Sequence, residues 1–300
     1  MPLRRTTLFV SGTMDEAAQR QIISTCGADL VSLDLEDTVV PARKAEARKT
    51  IAKLLTEDIW GRSDRAVRIN AVTSPYAKDD LVEVLTGARG RVDTILMSKP
   101  ESADEIRWVD QEITRLGKEV GFDHPIKLCV GIESAQALTD IDKIAASSPR
   151  IECLGFAIGD LSGSLGIPVG MFMQDRSLYP GDLFHFHRAR INLAAKTHGL
   201  MAMDAPWPVI NDHATLAEDA RWGMMMGFDG KLALATEQIK VIHMAYRPTP
   251  DQVAYAERTL NLVRKSMAAG EGSVTVDGEF LDPVIIAFAE KTLSRAAAPV

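Results

Sequence analysis

Residues 30–55, LVSLDLEDTVVPARKAEARKTIAKLL, join a short apolar run to a helix-like segment through a cluster of acidic residues. The apolar run is rich in Val and Leu, as strands buried in a parallel sheet are. The segment that follows has apolar residues at helical spacing with charged residues between them, which is typical of a helix with one solvated face. Three carboxylates, those of Asp34, Glu36 and Asp37, lie where the strand would end. This order predicts a strand–helix unit with acidic residues at the carboxyl end of its strand.

The same alternation of apolar run and helix-like segment recurs along most of the chain. The apolar runs cover residues 6–12, 30–37, 65–70, 94–100, 126–134, 151–160, 200–206 and 228–235. Strands that alternate with amphipathic helices indicate parallel β-α-β units, and eight such units suit a closed barrel. An open, doubly wound sheet is the alternative, although it more often has a glycine-rich phosphate turn after its first strand, and FVSGTMDEA (9–17) has no GxGxxG.

We therefore predict an α/β fold, a (β/α)₈ TIM barrel with a C-terminal helical extension. The catalytic barrel is assigned to residues 1–246 and the extension to residues 247–300. A Pro-rich break precedes a predicted helix over 248–269, and turns flank a short extended piece within 270–280. A last helix is predicted within 282–297. We expect the extension to contribute to an oligomer interface.

The composition narrows the class of protein. The chain has 300 residues, of which 46% are hydrophobic and 25% charged, and its net charge is −7. These values predict a soluble, enzyme-sized protein that binds neither nucleic acid nor a membrane. We find no run of about 18 uncharged apolar residues and no leader-like N-terminus, so a cytoplasmic protein is expected. The single cysteines Cys26, Cys129 and Cys153 lack metal-ligand spacing and are expected to be reduced.

Charged and polar residues also end the other predicted strands. In a parallel barrel the carboxyl ends of the strands open into the mouth where active sites lie. Asp34, Glu36 and Asp37 are accordingly predicted to line the rim of the mouth and not the core. The same position is predicted for a further set of residues, namely Arg68, Asn70, Ser98, Lys99, Glu133, Ser134, Asp160 and Asp204.

Glu133 and Asp160 end consecutive predicted strands. Neighbouring parallel strands are about 4.8 Å apart, so the two carboxylates would repel each other without a cation between them. Oxygen ligands without nearby His or Cys favour Mg²⁺, which takes its remaining ligands from water and substrate. The alternative is a salt bridge from Glu133 to Lys99 or Arg68. With a metal present, Arg68 would grip the carboxylate of an oxo acid in bidentate fashion.

The chain resembles the citrate lyase β-subunit-like members of the HpcH/HpaI aldolase superfamily, which include malyl-CoA, β-methylmalyl-CoA and citramalyl-CoA lyases. The motifs that carry the resemblance follow the family's order and span most of the chain. They are LFVSG (8–12), LDLEDTV (33–39), AR (47–48), VRIN (67–70), LMSKPES (96–102), GIES (131–134), FAIGDLSGSLGI (156–167) and GFDGK (227–231). The resemblance implies a (β/α)₈ barrel and a metal-dependent carbon–carbon lyase.

The resemblance also implies a role for individual residues. Glu133 and Asp160 match ligands of Mg²⁺, with Mn²⁺ as the alternative ion, and Arg68 matches the arginine that binds the carboxylate of the oxo acid. Glu36 and Asp37 match an acidic pair that orders metal-bound water and the arginine. Further matches within the predicted site are Lys99 in the cavity and Asp282 in VDGEFLDP (276–283).

Asp282 matches an acid/base residue that relatives extend into a neighbouring subunit, which would make the enzyme a homo-oligomer, a trimer or a hexamer. Its position before Pro283 also suits a helix N-cap, and the two interpretations are equally open.

The sequence departs from the family pattern where relatives bind coenzyme A. Ala235 and Thr236 stand where His-Pro is expected, and the segment 171–190 is long and aromatic. His185 and His187 in that segment are expected to be surface residues, because a helix would point them apart.

We therefore predict a magnesium-dependent lyase or aldolase that splits or forms a 3-hydroxyacyl-CoA or a hydroxy-oxo acid. The oxo-acid product would be glyoxylate, pyruvate or oxaloacetate. The alternatives are a thioester hydrolase with the same metal site, a free-acid aldolase that does not use coenzyme A, and a non-enzymatic barrel with a degenerate site. The intact pair of metal ligands argues against the last of these.

Overall fold

The strands form one closed parallel barrel. A computed structural model describes residues 4–276 and 278–298, without the side chain of Val276. Each strand pairs with the next along the chain, and the eighth pairs with the first. This confirms the predicted TIM barrel and excludes the open sheet. The strands are β1 (Thr6–Ser11), β2 (Leu30–Asp34), β3 (Asp64–Ile69), β4 (Thr94–Met97), β5 (Lys127–Ile132), β6 (Ile151–Phe156), β7 (Met201–Asp204) and β8 (Gly230–Ala233).

Helices follow every strand. They are α1 (Glu16–Thr25), α2 (Lys44–Thr56), α3 (Ala77–Gly87), α4 (Ala103–Val120), α5 (Ala135–Thr139), α6 (Ile141–Ala145), α7 (Ile158–Leu165), α8 (Val169–Gln174), α9 (His185–Thr197), α10 (His213–Met225) and α11 (Thr236–Tyr246). Side-chain caps begin several of them: Ser102 accepts from the backbone N–H of Glu105 at α4, and Ser134 does so from that of Ala137 at α5. None of the helices described in 4–276 and 278–298 is long and apolar enough to cross a bilayer.

The predicted boundary after the sixth strand was wrong. We expected the strand to reach Asp160 and a loop to follow, but β6 ends at Phe156 and α7 begins at Ile158. Glycine and serine in DLSGSLG have low helix propensity, which favours a loop in the isolated sequence. Burial of Ile158 and Leu161 overrides that preference in the folded chain.

Alternate residues of the strands fill the barrel interior. One buried cluster contains Leu30, Ala66, Leu96, Cys129, Cys153, Met201, Met203 and Leu232, with Phe9 packed against it. Cys129 is in register with Cys153, and two residues further along the strands Gly131 is in register with Gly155. Side chains therefore fill the barrel at the level of Cys129 and Cys153. At the next level toward the mouth, β5 and β6 contribute only the glycines Gly131 and Gly155.

The chain divides into two compact units, Arg4–Ile242 and the part from His243 onward. In the second unit, Thr249 and Gln252 form a capping box at the start of α12 (Pro250–Ala268). A hairpin of β9 (Val274–Val276) and β10 (Glu279–Leu281) precedes α13 (Val284–Ala296). The functional division at residue 246 and the interface role of the extension remain predictions.

Candidate active site

A cavity of about 260 Å³ opens at the carboxyl ends of the barrel strands. The cavity brings together three residues that the sequence singled out, Arg68, Glu133 and Asp160. Its other walls are mostly apolar or lack side chains, and they include Phe9, Leu96, Met97, Cys129, Gly131, Gly155, Pro206, Leu232 and Leu234. A small cavity with a few convergent charged groups is the usual form of a small-molecule site.

Asp34 is not a rim residue as predicted, because its side chain is completely buried. It is the cross-strand neighbour of Arg68, and its two carboxylate oxygens accept hydrogen bonds from Arg68 Nε at 2.7 Å and Nη2 at 2.6 Å. Thr38 Oγ1 and the backbone N–H of Glu36 also donate to it, at 2.6 and 2.8 Å. Burial opposes ionisation of Asp34, but the hydrogen bonds and charge of Arg68 outweigh it and lower its pKa. The core therefore accepts this carboxylate because its charge is fully compensated.

Arg68 is held rigidly while one edge stays accessible. Burial disfavours its charge, but the bidentate pairing with Asp34 outweighs burial and raises its pKa. The ring of Phe9 lies against the guanidinium, 4.7 Å from Cζ to the ring centroid. Nη1 lies 3.2 Å from Glu36 Oε2, and the side chain remains 19% exposed. The guanidinium N–H groups that neither Asp34 nor Glu36 engages are therefore available to a ligand carboxylate in the cavity.

Lys99 joins the acidic pair to the rest of the site. Its Nζ lies 2.6 Å from Glu36 Oε1, 2.9 Å from Asp37 Oδ2 and 3.5 Å from Asp160 Oδ1. Lys99 has a φ of +51°, a left-handed conformation that is uncommon for residues other than glycine. Burial raises the pKa of Glu36 against the effect of Lys99, whereas the hydrogen bond from Lys99 outweighs partial burial at Asp37 and lowers its pKa.

Glu133 directly follows β5 and is buried without a cationic side chain. Among residues 4–276 and 278–298, no lysine, arginine or histidine lies within ion-pair distance of it, so the alternative of a salt bridge to Lys99 or Arg68 was wrong. Burial raises the pKa of Glu133 to about 7, and the negative charges of Asp160 and Glu36 add to the effect, although the backbone N–H of Lys99 opposes it. Gly131 leaves room for this carboxylate, because a Cβ there would lie 2.3 Å from Glu133 Oε1.

The donor set at the mouth fits a hard dication. Asp160 lies in the first turn of α7, where the helix dipole favours negative charge, and its side chain is 45% exposed. Glu36 Oε2 is buried without a hydrogen bond in the described part of the chain. No group of three or more His, Cys, Asp or Glu that could hold a metal occurs there either. Two carboxylates, one of them lacking a counter-ion, match Mg²⁺ that takes its other ligands from water and substrate.

Two residues predicted at the mouth serve elsewhere. Asn70 lies beyond the end of β3, where it donates to Asp80 at 2.6 Å and accepts from Lys44 at 2.7 Å. Asp204 is completely buried and accepts hydrogen bonds from Arg188 and Lys231. Both belong to networks that fasten helices to the barrel.

Phe9 was not identified from the sequence. Its parity on β1 would have shown that it faces the barrel interior, but its contact with Arg68 depends on the register of neighbouring strands.

The carboxylate of Asp282 accepts a hydrogen bond from the backbone N–H of Val284 at 2.9 Å, at the start of α13. The N-cap of α13 is nevertheless Pro283, which lies one residue later and has no side-chain cap hydrogen bond, so Asp282 is not the N-cap that the sequence offered as one interpretation. The further role of Asp282 as an acid/base in a neighbouring subunit remains a prediction.

Comparison with known proteins identifies the family. The model of the HpcH/HpaI aldolase/citrate lyase family matches residues 5–236. The chain belongs to this family. The resemblance predicted from the sequence motifs is thereby confirmed, and so is the enzyme class, a carbon–carbon lyase.

Members of the family with assigned activities resemble the whole chain. An L-malyl-CoA/β-methylmalyl-CoA lyase of Cereibacter sphaeroides is 30% identical over 97% of this chain and 94% of its own length. The mitochondrial citramalyl-CoA lyase of Homo sapiens is 27% identical over 98% of this chain and 85% of its own. The crystal structure of CitE from Mycobacterium tuberculosis in complex with magnesium, acetoacetate and coenzyme A has a TM-score of 0.76 and 28% identity, covering 99% of each chain.

Proposed function

We propose that this enzyme cleaves a 3-hydroxyacyl-CoA ester that carries a carboxylate on its hydroxyl-bearing carbon. The products are a 2-oxo acid and an acyl-CoA, and Mg²⁺ is the cofactor. The observation that supports this best is Glu133, a buried carboxylate that shares the cavity with Asp160 and the anchored Arg68 and has no ion pair with any other residue that the structure describes. Relatives that act on malyl-CoA and citramalyl-CoA, and one that binds magnesium and coenzyme A, support the substrate class and the metal.

Glu133 and Asp160 would hold the metal, which when bound supplies Lewis-acid polarisation of the substrate oxygens. Arg68 binds the substrate carboxylate with the donors that Asp34 leaves unused. Asp34 and Phe9 fix the guanidinium in advance, so that little orientation is lost when substrate binds. Lys99 balances the charge of Glu36 and Asp37 next to the site.

Cleavage moves one proton in each of two steps. A base removes the hydroxyl proton, the C–C bond breaks, and its electron pair passes to the thioester as an enolate, leaving the oxo acid. An acid then returns a proton to the enolate carbon to give the acyl-CoA. We assign this acid/base role to Asp282 of a neighbouring subunit, in a homotrimer or hexamer. Asp282 is only partly exposed in its own unit and bonds a backbone amide there.

The second candidate is an aldolase for free hydroxy-oxo acids. The observation that favours it is the pair Ala235 and Thr236, which begins two residues after the end of β8 and stands where the family pattern leads us to expect His-Pro in the coenzyme A region. The two candidates share the metal and Arg68 and differ only in whether the substrate is a thioester.

Product analysis separates these functions. The purified protein is incubated with malyl-CoA, with citramalyl-CoA and with free hydroxy-oxo acids, in Mg²⁺, in Mn²⁺ and in EDTA. We expect oxo acid plus acyl-CoA from the esters in Mg²⁺ and none in EDTA. Release of free CoA instead would identify a hydrolase, and turnover of the free acids alone would identify the aldolase. Undiminished turnover in EDTA would refute metal dependence.

Variants of the two carboxylates test the site itself. Glu133→Gln and Asp160→Asn preserve side-chain size and remove charge, and each should lower kcat/KM by at least about 100-fold. Each should also weaken metal binding, which calorimetric titration with Mg²⁺ measures directly. Asp104→Asn is the matched control, because Asp104 lies on α4 with a side chain that is 88% exposed. Retained turnover in both test variants would exclude Glu133 and Asp160 as ligands.

A further inference from the structure

Two glycines in register make a hollow beneath the carboxylates of the site. Gly131 on β5 pairs with Gly155 on β6, one level nearer the mouth than the pair Cys129 and Cys153. The two glycines differ in what surrounds them. A Cβ on Gly131 would collide with Glu133 Oε1 at 2.3 Å, whereas a Cβ on Gly155 would meet Cys129 Sγ at 3.8 Å and nothing closer. The space at Gly155 is therefore open and is not required by the protein's own packing.

The walls of this hollow are apolar. Leu96, Cys129 and Leu232 line the cavity and keep exposures of 6, 8 and 7%, whereas other members of the same core cluster, such as Ala66 and Cys153, keep 0 and 1%. The residual exposure identifies the three side chains that face the cavity. The charged residues that line the cavity, Arg68, Glu133 and Asp160, offer polar groups for a carboxylate and an oxygen. The hollow offers none from side chains.

The hydroxyl-bearing carbon of the substrate carries four groups: the carboxylate, the hydroxyl, the arm that ends in the thioester, and one substituent. The first two match Arg68 and the carboxylate pair, and the arm must leave the site toward solvent to accommodate coenzyme A. We propose that the substituent lies over Gly155 and that Gly155 sets its size, so that the preferred oxo acid bears an alkyl group as pyruvate does. This inference rests on the proposed function, because it assigns the fourth group of the same substrate.

The test narrows the hollow from one side. Gly155→Ala adds a methyl group at ordinary contact distance from Cys129 and should not disturb folding. We expect the ratio of kcat/KM for citramalyl-CoA to that for malyl-CoA to fall by about 10-fold or more, the usual value of one carbon in a tight apolar pocket. Calorimetric titration should show the same selectivity: the affinity for pyruvate should fall more than the affinity for glyoxylate. Gly131→Ala is the contrasting variant, and it should weaken both substrates equally because it displaces Glu133.

A second variant widens the hollow from below. Cys129→Ala removes the sulfur at its floor and should allow 2-oxobutyrate, which has an ethyl group, to bind more tightly relative to pyruvate. This variant decides the question if Gly155→Ala does not fold.

If Gly155→Ala lowers kcat/KM equally for both esters, or if neither Gly155→Ala nor Cys129→Ala changes the preference between substrates, the assignment of the hollow is overturned. Failure of the wild type to cleave either ester overturns the proposed function instead. Binding of the free oxo acids still tests the hollow in that case.

Discussion

Two groups of buried charged residues lie in the same barrel, and only one of them is complete. Near the end of the barrel sequence, Lys231 of β8 and Arg188 of α9 pair with Asp204 of β7 and Asp219 of α10, and all four side chains are almost fully buried. At the mouth, Glu133 is similarly buried, but among residues 4–276 and 278–298 no cationic side chain lies within ion-pair distance of it, and only the more distant charge of Arg68 acts on it. The two cations lower the pKa of Asp219 to about 2 against the effect of burial, whereas burial raises the pKa of Glu133 to about 7.

The difference distinguishes charges that hold the fold from charges that await a ligand. In the four-residue cluster of Arg188, Asp204, Asp219 and Lys231, each carboxylate accepts from both cations, so desolvation is offset within the chain. At Glu133 the compensation must come from outside. A carboxyl group whose pKa is raised and which lines a cavity is a candidate functional residue. Burial alone is not a sufficient sign, because the carboxylates of the four-residue cluster are just as buried and are fully paired.

The largest expected effect on stability follows from breaking the complete cluster. Lys231→Met keeps the length of the side chain but leaves three carboxylates, those of Asp182, Asp204 and Asp219, opposite the guanidinium of Arg188, in a site with 0% exposure at Lys231. We expect the free energy of unfolding to fall by about 3–5 kcal/mol. Denaturant unfolding followed by circular dichroism measures this change.

Lys53→Met is the matched control, because Lys53 pairs with Glu16 at 2.6 Å but is 59% exposed. Its removal should cost less than about 1 kcal/mol. Equal effects of the two lysine substitutions would mean that the buried cluster does not hold these elements together.

The next effect concerns the opposite pH dependence of the two carboxylates. The pKa of Glu133 is raised in the folded, metal-free protein from 4.5 to about 7, so the folded state binds more protons than the unfolded state between these values. Its contribution to stability is therefore present below about pH 4.5 and is lost as pH rises toward 7. Asp219 behaves in the opposite way: its contribution is present above its ordinary pKa of 3.8 and is lost as pH falls toward 2.

Glu133→Gln isolates the pH dependence of stability that Glu133 causes. In EDTA at pH 8 the variant should be more stable than the wild type by up to about 3 kcal/mol, and the difference should vanish near pH 4. Thermal unfolding over this pH range measures it. Mg²⁺ at pH 8 should stabilise the wild type and leave the variant unchanged. If the stability of the two proteins changed with pH in the same way, folding would not raise the pKa of Glu133.

The comparison also shows what the sequence can and cannot reveal. The period and length of the apolar runs were sufficient to predict the barrel. The rule that polar strand ends face the mouth was sufficient to predict that Arg68, Glu133 and Asp160 lie at the cavity, and their roles there remain predictions. The same rule placed Asp34 and Asp204 at the rim, where neither lies. Both carboxylates are buried and paired with a cation from another element. Asp34 meets Arg68 through strand register, and Asp204 meets Arg188 from α9, and neither fact is written in the local sequence.

Asp160 illustrates a second limit. Its segment has the glycine and serine content of a loop. It is nevertheless helical, because the helix buries the neighbouring side chains of Ile158 and Leu161. The position of Asp160 at the cavity was predictable, but the element that presents it was not. The empty space at Gly155 likewise depends on which residue faces it across the barrel.

The smallest expected effect concerns Arg68, which has a counter-ion like the complete cluster but keeps one edge open like the mouth. Phe9→Leu removes the aromatic face beneath the guanidinium and keeps an apolar side chain at this partly buried position. The contribution of such a contact is about 1 kcal/mol, so oxo-acid binding should weaken by about 5-fold. Metal affinity should not change, because Phe9 contacts neither carboxylate ligand. Phe9→Tyr retains the ring face and should bind oxo acid nearly as the wild type does. If Phe9→Leu and Phe9→Tyr weakened oxo-acid binding equally, the ring face would not be what supports Arg68, and Asp34 alone would hold Arg68 in its binding orientation.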